Sequence, residues 1–291
     1  MPAAPVSAGF ERAVRRWPTV GPSCRRRPEQ ARRCVRWKTK PAATSLPRST
    51  IGGMEERLLA WFDEHGADLH WLRTRDPYAI LVSEVMLQQT QAARVVPRYA
   101  AWLERWPTAE ALAAASTADV IRAWQGLGYN RRALALHRAA AIVAADGWPD
   151  DLTELPGVGR YTADAVACFA HARPVLPVDV NVTRVRERTG HPFTHRAAQA
   201  LMDLGREVCL ARVPRCGLCP LAEECPARGS RYEPARRQGP FEGSFRQRRA
   251  RLLRLVSEEP RPLGELDGEV VESLRRDGLV AVDGDLVALP R

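Results

Sequence analysis

Apolar residues return every three or four positions along most of the chain, the pattern of successive amphipathic helices. The first run, Met54–His65, sets Leu58, Trp61 and Phe62 on one face and stops at Gly66. Similar runs predict helices over about 78–92, 93–105, 108–115, 117–124, 131–146, 160–171, 181–188 and 195–209. Gly147 closes one of them, and Ser116-x-x-Asp119 resembles a capping box at the start of another. No strand-like alternation occurs before residue 278, so the body reads as all-α. Near the C-terminus, helices over about 244–257 and 263–276 precede a predicted hairpin, 279–289, turning on Asp283-Gly284. Two helices and a terminal ribbon suggest a small winged-helix-like module.

Composition divides the chain further. Residues 1–52 mix Arg, Pro, Ser and Ala without an apolar period, so they read as a disordered basic extension. Residues 53–228 form the main domain, 229–243 an Arg-, Pro- and Gly-rich linker, and 244–291 the small module. The net charge of +10 resides in the extension: its first 50 residues hold twelve Arg or Lys against two acids, and the remainder is formally neutral. Overall charge therefore says little about whether the folded part binds nucleic acid. One local basic cluster exists, eleven Arg against five Glu over 206–251. With no run of about eighteen apolar residues and no signal-type leader, the expectation is a soluble, cytoplasmic protein with no membrane partner.

Three features carry candidate chemistry. Cys209, Cys216, Cys219 and Cys225 form a C-x6-C-x2-C-x5-C array, which in a chain without export signals reads as a metal or cluster ligand set rather than a disulfide framework. The stretch 155–163 places Gly157 and Gly159 at the start of a helix, where the glycines permit unusual backbone angles and expose amide groups to a phosphate. Taken alone, it is equally a Gly-rich turn between helices. Glu84 and Gln88, four apart, share a helix face. A lone Glu there is ordinarily a solvated surface charge.

The order of these features changes the weighing. Asp76-Pro-Tyr-Ala-Ile-Leu-Val-Ser-Glu-Val-Met-Leu-Gln-Gln-Thr-Gln91, Gly126-Leu-Gly-Tyr129, the hairpin at Leu155, Asp179-Val-Asn181, Met202-Asp-Leu-Gly205 and the four cysteines occur in one sequence. Together, over roughly residues 54–228, they resemble the MutY-type adenine glycosylases of the helix-hairpin-helix, iron-sulfur superfamily. The resemblance implies a two-lobed all-α glycosylase with its site between a barrel-like lobe (about 76–185) and a cluster-bearing lobe made by the flanking segments.

On that resemblance Glu84 is the acid that protonates the departing adenine. Asp179 steadies the sugar's developing positive charge, and Asn181 orients water or the Asp. Asp179 also suits a helix N-cap. A target base stacked in a duplex must be flipped out, and Gln89 and Tyr129 would fill the gap, with Thr90 and Leu87 lining the region and Gln88 close by. Gly157, Gly159 and Tyr161 would contact the DNA backbone and flipped nucleotide. The cysteines would hold a [4Fe-4S] cluster, with structural zinc as second option. Tyr161 stands where lyase relatives carry a Lys, which implies a monofunctional glycosylase. The implied partner is double-stranded DNA with A:8-oxoguanine or A:G mispairs, bound by a monomer in a bacterial nucleoid.

Departures matter too. His70-Trp71-Leu72 replaces a usual Pro-Trp-Arg, Val180 replaces Gly between Asp179 and Asn181, and a Nudix-like C-terminal domain is lacking. The alternatives are a thymine-mismatch or endonuclease III-like enzyme, opposed by Glu84 and the Gln88-Gln89 pair, and a non-catalytic iron-sulfur DNA-binding protein, opposed by the presence of both carboxylates.

Overall fold

The computed structural model describes residues 53–233 and 239–291, all within one compact unit, Val35–Arg291. The extension 1–52 and part of the linker lie outside the described residues. Among the described residues eleven α-helices follow in order: α1 (Met54–His65), α2 (Pro77–Leu87), α3 (Ala92–Arg105), α4 (Ala109–Ala113), α5 (Thr117–Trp124), α6 (Arg131–Asp146), α7 (Arg160–Phe169), α8 (Val180–Thr189), α9 (Ala198–Glu207), α10 (Phe245–Glu258) and α11 (Gly268–Arg276). The predicted starts rest on real caps. Asp76 accepts from the Tyr78 amide ahead of α2, Thr108 from Ala111, and Ser116 from Asp119. The expected helix at 78–92 ends early, at Leu87, because Gln89 takes a φ of 53° and breaks the run before α3 begins. The expected 195–209 helix opens instead as a 3-10 turn, His195–Ala197.

Two apolar cores build the main domain. Helices α2 to α7 enclose one, with Ile80, Val82, Met86, Trp102, Trp124 and Leu136 among its fully buried members. Helix α2 is buried on all sides from Tyr78 to Met86, which marks it as the central helix of this lobe. The second core joins α1, α8 and α9, through Leu58, Val182, Val185, Leu201 and Leu204, to the cysteine loop at Leu221. Helix α8 therefore belongs to the flanking lobe, and the boundary expected at 185 falls before residue 180. Val182 and Val185 face α9 rather than the barrel-like lobe.

The C-terminal segment is a winged-helix-like module of α10, α11 and three short antiparallel strands, β1 (Arg261–Pro262), β2 (Ala281–Asp283) and β3 (Leu286–Ala288), in the order β1-β3-β2. Strand β1 escaped the sequence pattern because two residues show no alternation, and Pro262 is tolerated at a sheet edge. Asp283 pairs with Leu286, so the hairpin loop is Gly284-Asp285, one residue later than expected, with Gly284 at φ 58°. Helix α11 starts only at Gly268, capped by Asp267. The module is no detached appendage: Ile121 of α5 and Leu134 of α6 sit in one core with Leu253, Val256, Leu274 and Val287. No helix among the described residues is long and apolar enough to cross a membrane.

Candidate active site

Glu84 occupies the last turn of α2 and is buried to 6% exposure, because the helix that carries it has no solvent face. Burial disfavours its charged form and pushes its pKa up to about 7. A hydrogen bond from Tyr161 opposes that rise, and the negative charge of Asp179 adds to it. The Tyr161 phenol is pushed far up by burial and by both carboxylates, so it stays protonated and donates. Two residues from the barrel-like lobe and one from the flanking lobe thus meet at the lobe junction. Tyr161 also touches the Met202 sulfur, at 3.9 Å.

Asp179 is the N-cap of α8, and the cap fixes its carboxylate. One oxygen accepts from the amides of Asn181 (2.9 Å) and Val182 (2.7 Å), the other from the Asn181 side chain (2.7 Å). The helix cap is compatible with the expected chemical role of this residue, since the capping bonds fix the direction of its carboxylate. Asn181 is held in turn by Arg184, whose Nη2 donates to Asn181 Oδ1 (2.8 Å) and to the Gly205 carbonyl (2.6 Å), while Nε donates to the Cys209 carbonyl (2.7 Å). A Cβ on Gly205 would lie 2.5 Å from the Asn181 Cβ, so only glycine lets α9 approach there. Sequence reasoning missed Arg184 and gave Gly205 no role beyond its matched string. The signal available was the i, i+4 pair Arg184 and Arg188 on an otherwise apolar helix face.

The residues expected to meet DNA divide into two groups. Gln89 is exposed, Thr90 half-buried, and Tyr129 39% exposed with φ 46°; these lie on two adjacent turns bridged by the Thr90 hydroxyl, which donates to the Leu127 carbonyl at 3.2 Å. Gln88 points the other way, its amide donating to the Gly157 carbonyl (3.3 Å) and Thr162 hydroxyl (3.4 Å), so it ties α2 to the hairpin. Gly157 needs glycine, with φ 78° and a hypothetical Cβ only 2.7 Å from that of Ala135. Gly159 does not. Its φ of −91° is open to any residue, and what its missing side chain leaves is space above the N-terminus of α7. Two of the arginines on α10 are paired with acids of the same module, Arg248 with Asp267 and Glu269 and Arg249 with Asp277.

Cys209, Cys216, Cys219 and Cys225 carry free thiols and line one cavity with Val185, Leu204 and Leu221. Among the described residues no group of three or more His, Cys, Asp and Glu side chains is arranged to hold a metal ion as it stands. The donor set nevertheless fits a sulfur-rich group. Arg188 lines the same cavity, gives Nη1 to the Cys209 sulfur at 3.2 Å, and keeps a buried Nε–H without a partner. The Gly229 amide donates to the Cys216 sulfur.

Comparison with known proteins agrees with this geometry. The family model for HhH-GPD superfamily base excision DNA repair proteins matches residues 82–209. The chain is 43% identical to an adenine DNA glycosylase of Mycobacterium tuberculosis, over 84% of this chain and 97% of that protein. It is 37% identical to the human adenine DNA glycosylase, over 59% of this chain and 38% of that one. In fold it resembles a thermostable thymine-DNA glycosylase (TM-score 0.53, 26% identity, 59% of this chain and 93% of that one). A trapped endonuclease III–DNA intermediate gives TM-score 0.52 at 24% identity, over 59% of this chain and 92% of that one. With its six motifs in order on a two-lobed helical fold and near-full-length similarity to the mycobacterial protein, the chain belongs to the adenine DNA glycosylase family of the HhH-GPD base excision DNA repair superfamily.

Proposed function

We propose that this chain hydrolyses the N-glycosidic bond of adenine mispaired with 8-oxoguanine or guanine in double-stranded DNA, without cutting the strand. The observation that carries the reading is the pair of carboxyls in different surroundings: Glu84 is buried with its pKa pushed up to about 7, and Asp179 accepts three hydrogen bonds at the N-terminus of α8. Glu84 in its protonated form gives its proton to a ring nitrogen of adenine as the bond to the sugar breaks and the bonding electrons leave with the base. The sugar's positive charge develops beside Asp179. Water then adds to the sugar carbon and returns a proton to Glu84, restoring the acid. Asn181 keeps Asp179 in register. The exposed N-terminus of α7 at Gly159 suits a phosphate, and Gln89 and Tyr129 enter the duplex around the extruded base.

The four cysteines would hold a [4Fe-4S] cluster, which when bound crosslinks the loop after α9 and adds its binding energy to the fold. Purified protein should then be yellow-brown with about four irons per chain. Colourless protein carrying one zinc would decide for the alternative. The activity is tested by excision from duplexes holding adenine, thymine or an oxidised pyrimidine opposite each base. Adenine release opposite 8-oxoguanine and guanine is expected; release of thymine or of oxidised pyrimidines in its place would overturn the reading.

A further inference from the structure

Arg132, the second residue of α6, is a half-buried arginine whose hydrogen-bond partners are carbonyl and hydroxyl oxygens. Its Nη1 donates to the carbonyls of Val85 (2.7 Å) and Met86 (3.1 Å), and its Nη2 to Thr90 Oγ1 (3.0 Å) and to the carbonyls of Leu127 (3.3 Å) and Gly128 (2.9 Å). The guanidinium lies 5.3 Å from the Trp124 ring centroid and 5.6 Å from that of Tyr129. Burial draws its pKa down to about 10, which leaves it charged at neutral pH.

The placement is specific. The last carbonyls of a helix have no partner within it, and α2, the helix of Glu84, ends by giving two of them to this one side chain. The remaining bonds reach the two turns beyond, 88–90 and 127–129. Three non-glycine residues among the described ones have positive φ, and two of them, Gln89 and Tyr129, lie on those turns. Residues so held persist only where their surroundings over-determine them. Trp124 helps, donating to the Gly128 carbonyl at 3.0 Å.

We propose that Arg132 is the positioning residue that locks Gln89 and Tyr129 to each other and to the helix of the acid, so that the two side chains enter DNA as one preformed wedge. The inference rests on the reading of Gln89 and Tyr129 as the residues that enter the duplex. A lysine keeps the charge but offers a single ammonium and cannot span these acceptors on three segments.

The test uses full-length protein and a duplex with an A:8-oxoguanine pair and 2-aminopurine beside the adenine, a fluorophore that brightens on unstacking. At saturating enzyme Arg132→Lys should give a smaller fluorescence rise than wild type, and single-turnover excision should fall by about 10–100-fold, the scale of a small misplacement. The alkaline limb set by Glu84 should stay in place, because the acid's own surroundings are untouched. Thr90→Val, which removes one acceptor and keeps the guanidinium, should show the same signature more weakly and serves should the lysine variant not fold. A full fluorescence rise in these variants overturns the proposal, whatever happens to the rate. Gln89→Ala and Tyr129→Ala are the controls: if they too give a full rise, it is the reading of those residues that has failed, and the proposal falls with it.

Discussion

The Tyr161 phenol of α7 and the Glu84 carboxyl of α2 interact at the lobe junction, the phenol lowering the pKa of the acid and the acid's charge raising that of the phenol. The phenol favours the ionised acid, against burial and the charge of Asp179, both of which disfavour it. Excision by wild type should therefore decline as pH rises through about 7, where Glu84 loses its proton. Tyr161→Phe removes the hydroxyl and should move this alkaline limb upward. A pH profile of single-turnover excision checks it, and an unmoved or lowered limb would contradict the assignment of the limb to Glu84.

Glu84→Gln cannot supply a proton, and excision should drop by about 10²–10⁴-fold while duplex binding is retained. The same change should stabilise the fold in alkali. Because the folded-state pKa is raised from 4.5 to about 7, the folded protein takes up a proton; the penalty is absent below pH 4.5 and complete above 7. Glutamine resembles the protonated acid, so denaturant titration at pH 8 should favour the variant by up to about 3 kcal/mol. The gain should vanish as pH falls toward 4.5. Equal stability at both pH values would mean Glu84 is better solvated than its burial indicates.

A phenol at residue 161 cannot form an imine, so borohydride should trap little covalent complex with wild type, and product strands should need hot alkali to break. Tyr161→Lys sets an amine beside Glu84 and Asp179 and should yield measurable trapping. Efficient trapping by the unaltered protein would reveal another amine nucleophile and a lyase activity.

The C-terminal module shares its core with Ile121 and Leu134, so truncation after residue 228 would bare both. Each large aliphatic side chain is worth about 1.5–3 kcal/mol when buried, and the melting temperature should fall on the order of 10 °C. A truncated protein that melts with the intact one would show the module to be an independent appendage.

Local information was enough for a large share of this molecule. Helix periodicity, caps such as Ser116 and Thr108, and stop signals such as Gly147 depend on neighbours within a few residues, and the helices stand close to where the pattern put them. The ordered motifs, through their resemblance to a family, singled out Glu84, Asp179 and the four cysteines before any coordinates. Other properties required distant segments to meet. Whether Glu84 is a surface charge or a buried acid depends on which helices surround α2, since a dielectric environment is assembled by the whole lobe. That α8 packs on α9, that Gly205 admits Asn181, and that Arg132 and Arg184 tie separate segments together are likewise contacts over 21 to 47 residues of chain. In the sequence each of these arginines is one basic residue among 44 Arg and Lys; only the carbonyls that converge on it from separate segments give it a role.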